Sequence, residues 1–293
     1  MAALIAFAGL LALTPASAEV LAPYKDRLFR YKKITESLYD GDFIVVEYSK
    51  QRDLRDRDEV ARTIRETAPD LVINLAALTD VDLCEREPER AERVNCSLVR
   101  NIADNLTDDT LLVQLSTDQV YSDTAGPHGE TDPQEPVNRY GQSKLAGEAA
   151  ALTHGNTLVL RVNFFGPSRT AGRASLSDVL SAGVRDKKPM VFFEDSYFSP
   201  LHIQTLADMI LRCTDQGLTG IFNLGCRDGA SKADFAEALC AHLNLSTETA
   251  RRGRSTEMPG RARRPADLRM NVDKLENALG CRMPSMVTEI EKL

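Results

Sequence analysis

The chain is predicted to be an α/β protein: a Rossmann-like, doubly wound parallel sheet followed by a smaller C-terminal lobe. Two observations predict this. Between residues 42 and 165, short apolar runs alternate with amphipathic stretches at the pitch of βαβ units. Runs such as "DLVINLAA" (70–77) are apolar throughout, as strands covered on both faces are, instead of alternating with polar residues. Beyond residue 165 the alternation loosens with no clean linker. The division expected is therefore 1–165 for the sheet domain and 166–293 for the smaller lobe.

Each element follows from its residues. "DFIVVEYSK" (42–50) is β-branched and bounded by Gly41, which predicts a buried strand. "DRDEVARTIRETAP" (56–69) reads as an amphipathic helix closed by Pro69, leading into the strand 70–77. "EPERAERVNCSLVRNIADNL" (87–106) reads as one long helix, and "TLLVQLST" (110–117) as the next strand. A loop rich in Pro, Asp and Gly (123–138) precedes a helix beginning near Tyr140, and "NTLVLRVNFF" (156–165) is a fourth strand. In the second half, "SLSDVLSAGVRDKKPM" is a helix followed by a turn. Residues 199–216 carry another helix, and "GIFNLG" (220–225) is a short strand. Ser231 is the expected N-cap of the helix in 231–245, with Asp234 at N3. Residues 249–265 read as a basic loop, and "NVDKLENALG" as a last helix stopped by Gly280.

Composition narrows the function. A chain of 293 residues can bury a sizeable core. Its net charge of −7 argues against nucleic acid or an anionic membrane as partner. The six cysteines (84, 96, 213, 226, 240 and 281) contain no C-x-x-C and read as small buried hydrophobes in a reducing compartment. The histidines (128, 154, 202 and 242) lack metal-ligand spacing, so no metal site is expected.

The stretch "VNRYGQSKLAGE" (137–148) sets Tyr140 and Lys144 one helical turn apart on the same side. An ammonium beside a phenol favours phenolate and brings the tyrosine toward useful acid–base chemistry. Alone, the pair is more often a solvated helix face. It gains company from "LSTDQVY", which ends a strand with hydroxyls at Ser116 and Thr117, and from "NLAALTDVD", which ends the strand before. Ligands of doubly wound sheets bind beyond these carboxyl ends. A hydroxyl, a phenol and an ammonium around one point can hold a carbonyl oxygen and deliver a proton as hydride arrives at carbon.

At these residues the sequence resembles the extended short-chain dehydrogenase/reductase superfamily, and within it the dTDP-4-dehydrorhamnose reductase branch. The resemblance is carried in chain order by "DLRD" (53–56), residues 69–95, "LSTDQVY" (115–121), "ETDPQEPVNRYGQSKLAGE" (130–148), "LRVNFFG" (160–166), "FSPLHIQTLAD" (198–208) and residues 261–275. It implies a catalytic triad of Thr117, Tyr140 and Lys144, with Tyr140 as proton donor. It implies that Ala76, Ala77 and Thr79 line the phosphate and ribose of NADP(H) or NAD(H), that Tyr140 and Lys144 reach its nicotinamide end, and that Asp53 and Leu54 flank its adenine. Asp118 and Asn163 would lie near the sugar, and Phe164 would stand where the reductases carry a stacking tryptophan. Arg264, with Arg261 and Arg263, would meet the nucleotide diphosphate. Asn74 more readily fixes the end of its strand than touches a ligand. Lys50 and Arg52 mildly favour the 2′-phosphate of NADP. Relatives form homodimers, some through metal-bridged carboxylates, which leaves a homodimer open although no ligand cluster is visible.

The sequence departs from that family at its start. The family opens with a strand and a G-x-x-G-x-x-G turn, whereas the 52 residues before Asp53 hold only Gly9 and Gly41, with Thr14-Pro15 among leucines. Residues 1–20 resemble a secretory signal with an "ASA" cleavage site but lack its positive n-region. Three accounts stay open: a damaged reductase, a chain keeping "ALIAF" as its first strand but holding cofactor weakly, and an exported protein. The expectation is a cytoplasmic NAD(P)H-dependent reductase of a keto group on a nucleotide-linked deoxysugar. The alternatives are a catalytically silent sugar-nucleotide-binding or regulatory protein of the same fold, and a sugar-nucleotide epimerase.

Overall fold

The structure is a computed structural model; it describes residues 3–7, 28–31, 43–47, 57–168, 174–258 and 260–293. Asp53, Leu54, Lys50, Arg52 and the Gly-poor segment after residue 7 lie outside the described residues.

The order of elements starts with strands β1 (Ala3–Phe7), β2 (Leu28–Tyr31) and β3 (Phe43–Glu47), followed by helix α1 (Arg57–Thr67) and strand β4 (Leu71–Asn74). Helices α2 (Val81–Arg86), α3 (Pro88–Glu92) and α4 (Leu98–Ala103) follow, a π-helical turn at Arg93–Ser97 joining α3 to α4. Strand β5 (Leu111–Thr117), helix α5 (Arg139–Ala151) and strand β6 (Thr157–Val162) complete the alternation. The strand "ALIAF", which only one of the open accounts of the opening residues named, is present as β1. The single helix expected over 87–106 is instead α3, the π turn and α4.

Among the described residues, β1 to β6 join β11 (Gly220–Leu224) in a seven-stranded sheet of order β11-β6-β5-β4-β1-β3-β2. β1 pairs in parallel with both β3 and β4, and β4 pairs in parallel with β5. The edge strand β2 runs antiparallel to β3, so the sheet is mixed at that edge. The sheet is Rossmann-like, and β4 is buried at all four positions, as its unbroken apolar run requires.

The chain divides into two compact units, each interrupted in sequence. The first comprises residues 1–116, 139–160 and 219–221, and the second 117–138, 161–218 and 222–293. In the first, Val60 and Ile64 of α1, Val72 of β4, Leu112 of β5, Leu98, Val99 and Ile102 of α4, and Ala150 and Ala151 of α5 make one apolar core. α1 presents a single apolar stripe to this core and leaves Arg57 and Arg65 outside, as its spacing dictates.

In the second unit, β7 (Phe164–Phe165) pairs in parallel with β10 (Leu201–His202), and β8 (Met190–Phe193) with β13 (Ala250–Gly253). β9 (Tyr197–Phe198) lies between β12 (Ala230–Ser231) and β14 (Asp267–Leu268). Its longer helices are α6 (Leu176–Arg185), α7 (Ile203–Asp215) and α8 (Lys232–His242). Phe165, Phe198 and Phe235 meet edge to face in its core. Ser231 caps α8 reciprocally with Asp234, as expected. Two readings of this half are corrected. The basic stretch 249–265 contains β13, held by its ladder to β8 and by Arg252 bonded to Asp234 and Glu237. Helix α9 (Asp273–Leu279) does end on Gly280 with φ of 59°, but a further helix, α10 (Met286–Ile290), follows it.

Candidate active site

The first unit sets the candidate proton donor on α5. Tyr140 and Lys144 are both buried, at 7% and 4% exposure. The amide of Arg139 donates to the Glu85 carboxylate at 3.0 Å, tying the start of α5 to α2. The Lys144 ammonium donates to the Leu115 carbonyl at 2.6 Å, which fixes it against β5. Burial pulls the Lys144 ammonium down to about 8, with the Glu148 charge opposing that fall. At neutral pH it therefore stays mostly protonated, and it loses its charge as pH rises through about 8.

A chain of buried amides runs from Leu115 to the loop after β4. The Gln114 amide donates to the Leu115 carbonyl at 2.7 Å and accepts from Asn74 at 2.7 Å. Asn74 in turn accepts from the Ala76 amide at 3.1 Å. Asn74 thus fixes the end of its strand. Ala76 is buried, Ala77 half-buried and Thr79 exposed, so the loop passes from core to surface over these residues. Asp80 closes it by accepting from the Leu83 amide at the start of α2.

Of the two hydroxyls ending β5, Ser116 is committed elsewhere: it donates to the buried Glu148 carboxylate on α5. Successive strand residues point to opposite faces, and the next residue, Thr117, belongs to the second unit. There its hydroxyl donates to Asp118 at 3.1 Å, and the Asn163 amide donates to the other Asp118 oxygen at 2.6 Å. Asp118 has no exposed surface. Burial pushes its carboxyl up to about 6, against the pull of the Asn163 and Thr117 hydrogen bonds and the Lys232 charge. Lys232, half-buried at the first position of α8, has its ammonium pulled down to about 8 by desolvation, opposed by Asp118.

Phe164 is 41% exposed while its neighbour Phe165 is buried, so Phe164 is not a core residue. The Arg264 guanidinium donates to the Ala262 carbonyl at 2.8 Å. Arg261 lies 5.6 Å over the Phe193 ring, and Arg263 pairs with Asp123. Within the second unit the structure thus brings together Thr117, Asp118 and Asn163, with the charges of Arg261 and Arg264 acting on Lys232. Within the first it ties Lys144 to the Leu115 carbonyl of β5 and, through Gln114, to Asn74 at the end of β4.

Gln114, Asn95, Ser143, Glu148 and Lys232 were not singled out from sequence. Gln114 carried a signal, a lone amide in an otherwise apolar strand; the others sit in ordinary helical patterns.

All six cysteines are free, and five are buried. Burial pushes the Cys84 and Cys96 thiols up to about 11. A hollow of about 500 Å3, lined by Pro88, Glu89, Glu92, Arg93, Arg139, Gln142 and Ser143, touches none of the candidate catalytic or cofactor residues. Among the described residues no three His, Cys, Asp or Glu side chains converge on a point fit for a metal, and no helix is long and apolar enough to cross a membrane.

Comparison with known proteins extends these observations. Residues 32–293 match the model of the RmlD substrate binding domain. A dTDP-4-dehydrorhamnose reductase of Sinorhizobium fredii is 32% identical over 259 residues, covering 82% of this chain and 85% of the relative. A dTDP-4-dehydrorhamnose reductase structure from Clostridium acetobutylicum superposes with a TM-score of 0.82 at 21% identity, covering 100% of this chain and 98% of the other. The Bacillus anthracis enzyme, solved in complex with NADP, gives 0.80 at 22% identity over 99% and 97% of the two chains.

Proposed function

This chain belongs to the RmlD substrate binding domain family, and from that premise we propose that it reduces a keto group on a nucleotide-linked deoxysugar with NADP(H) or NAD(H), in the manner of a dTDP-4-dehydrorhamnose reductase. The observation that carries the proposal is the pairing of buried Tyr140 and Lys144 on one helix, with the ammonium braced on the Leu115 carbonyl. A cation held there favours the phenolate that remains once a proton has left.

The donor set suits a nicotinamide ribose. An ammonium has three N–H groups, and the Leu115 carbonyl takes one. Ala76, Ala77 and Thr79 would line the phosphate and ribose, and Asp53 and Leu54 the adenine. When bound, the cofactor supplies the hydride that reaches the carbonyl carbon. Tyr140 gives its proton to the carbonyl oxygen, and Lys144 compensates the developing phenolate charge. Thr117 would supply the hydroxyl of the triad that the family resemblance implies; in the structure that hydroxyl donates to Asp118. Asp118 and Asn163 would hold the sugar, Phe164 would stack on it, and Arg264 would reach the diphosphate.

The test is consumption of NADPH in the presence of dTDP-4-dehydrorhamnose. Tyr140→Phe should lower kcat about 10²- to 10⁴-fold while the Kd for NADPH stays within about threefold. Absence of NADPH binding at millimolar concentration would leave a silent binding protein of the same fold. Cofactor that co-purifies would indicate an epimerase.

A further inference from the structure

The second unit hides a carboxylate that the reductase reading does not use. Glu289, on the short helix α10, has no exposed surface. A buried carboxylate costs stability unless donors surround it, and apolar residues often fill such a place at less cost. Glu289 is fully supplied with donors. One of its oxygens accepts from the His202 backbone amide at 2.7 Å. The other accepts from the Thr205 hydroxyl at 2.9 Å and from the Lys292 ammonium at 2.6 Å. Two of these three donors belong to the corner where β10 turns into α7. The His202 ring closes that corner by accepting from the Gln204 amide at 3.3 Å.

The corner is joined to the residues expected on the sugar side. Leu201 pairs with Phe164 and His202 with Phe165 in the parallel ladder of β10 and β7. The Leu201 amide donates to the Asn163 carbonyl at 3.0 Å, and the His202 ring meets Phe165 edge to face at 5.7 Å. Just beyond, a Cβ at Gly166 would lie 2.7 Å from a methyl carbon of Ile203, so the chain leaving β7 has no slack against the start of α7. Asn163 in turn donates to Asp118, and Phe164 is exposed next to it in the chain. A continuous line of bonds therefore runs from Glu289 through His202 and Leu201 to Asn163 and Phe164.

We propose that Glu289 is a positioning residue for the sugar: from α10 it clamps the corner between β10 and α7, and the ladder passes that constraint to Asn163 and Phe164. Its effect on turnover rests on the reductase reading, which gives those two residues to the sugar. The clamp itself can be read without turnover, because the Leu201 amide reports the bond to Asn163.

The test uses the full chain with dTDP-4-dehydrorhamnose and NADPH as probes. Glu289→Leu fills the volume and removes both acceptors. It should raise KM for the sugar nucleotide about tenfold, with kcat within about threefold and the Kd for NADPH within about twofold. Its Leu201 amide should exchange with solvent about tenfold faster, with the Leu112 amide of β5 unchanged. Glu289→Gln keeps an acceptor for the His202 amide and should bring KM and Leu201 exchange back to within about threefold of wild type. Thr205→Val removes one donor only. It serves if the leucine variant does not fold, and should shift KM and Leu201 exchange about threefold each. An unchanged KM in an active variant, or a rise in exchange shared equally by Leu201 and Leu112, would overturn the proposal. If the wild-type protein does not reduce the sugar nucleotide, the reductase reading falls, and Leu201 exchange alone decides the clamp: faster in the variant supports it, unchanged overturns it.

Discussion

A carboxyl sealed from water costs stability whenever it is ionised, and Asp118 is such a group. Its folded pKa of about 6 lies above the ordinary value of 3.8, so between those pH values the folded chain holds a proton that the unfolded chain has released. Stability therefore falls as pH rises through that window, and the cost is fully present above about 6. Asp118→Asn, whose amide can still bond Asn163 and Thr117, should stabilise the protein by on the order of 1–3 kcal/mol at pH 7. The gain should shrink toward zero near pH 4, as read by urea unfolding at the two pH values. At this scale the sequence was partly legible. The four-residue spacing of Tyr140 and Lys144 and the polar end of β5 could be seen directly, because each is a local pattern. Glu148, Asn95 and Lys232 could not, because each takes its role from a partner far away in the chain. From the residues alone Ser116 and Thr117 looked equivalent; in the structure Ser116 donates to Glu148 and Thr117 to Asp118.

At the scale of elements, the βα alternation was legible because buried strands and one-sided helices leave different apolar periods. The break in 87–106 was hidden because the π turn Arg93–Ser97 keeps the chain helical and contains neither Pro nor Gly to mark it. β8 and β13 escaped because four residues are too few to show a strand period, and β13 carries two arginines besides. Their pairing is made by the backbone ladder, while Arg252 of β13 reaches Asp234 and Glu237 on α8. Gly147 tests how tightly α5 is seated. A Cβ there would collide with the Asn95 carbonyl oxygen, which is backbone and cannot swing aside, so Gly147→Ala should cost about 1–3 kcal/mol, measured as a lowered urea midpoint with an unchanged slope. An equal stability for wild type and variant would mean that α5 can slide away from the π turn.

At the scale of the molecule, the opening residues matter more than their signal-like composition suggests. β1 is paired on both sides, to β3 and to β4. Removing residues 1–7 would leave two strands without the one that joins them, exposing ladder groups that had been satisfied. The truncated chain should lose its cooperative urea transition by circular dichroism and collect in the insoluble fraction. A truncated chain that unfolds like the full one would show that β1 is dispensable. The division into units has a practical side as well. Each is assembled from three stretches of sequence, with exchanges at 116/117, 138/139, 160/161, 218/219 and 221/222. Neither can be cloned as one uninterrupted fragment. Exchanging the second unit for that of a relative would take five splice junctions instead of one, and evolution by simple domain shuffling would face the same obstacle.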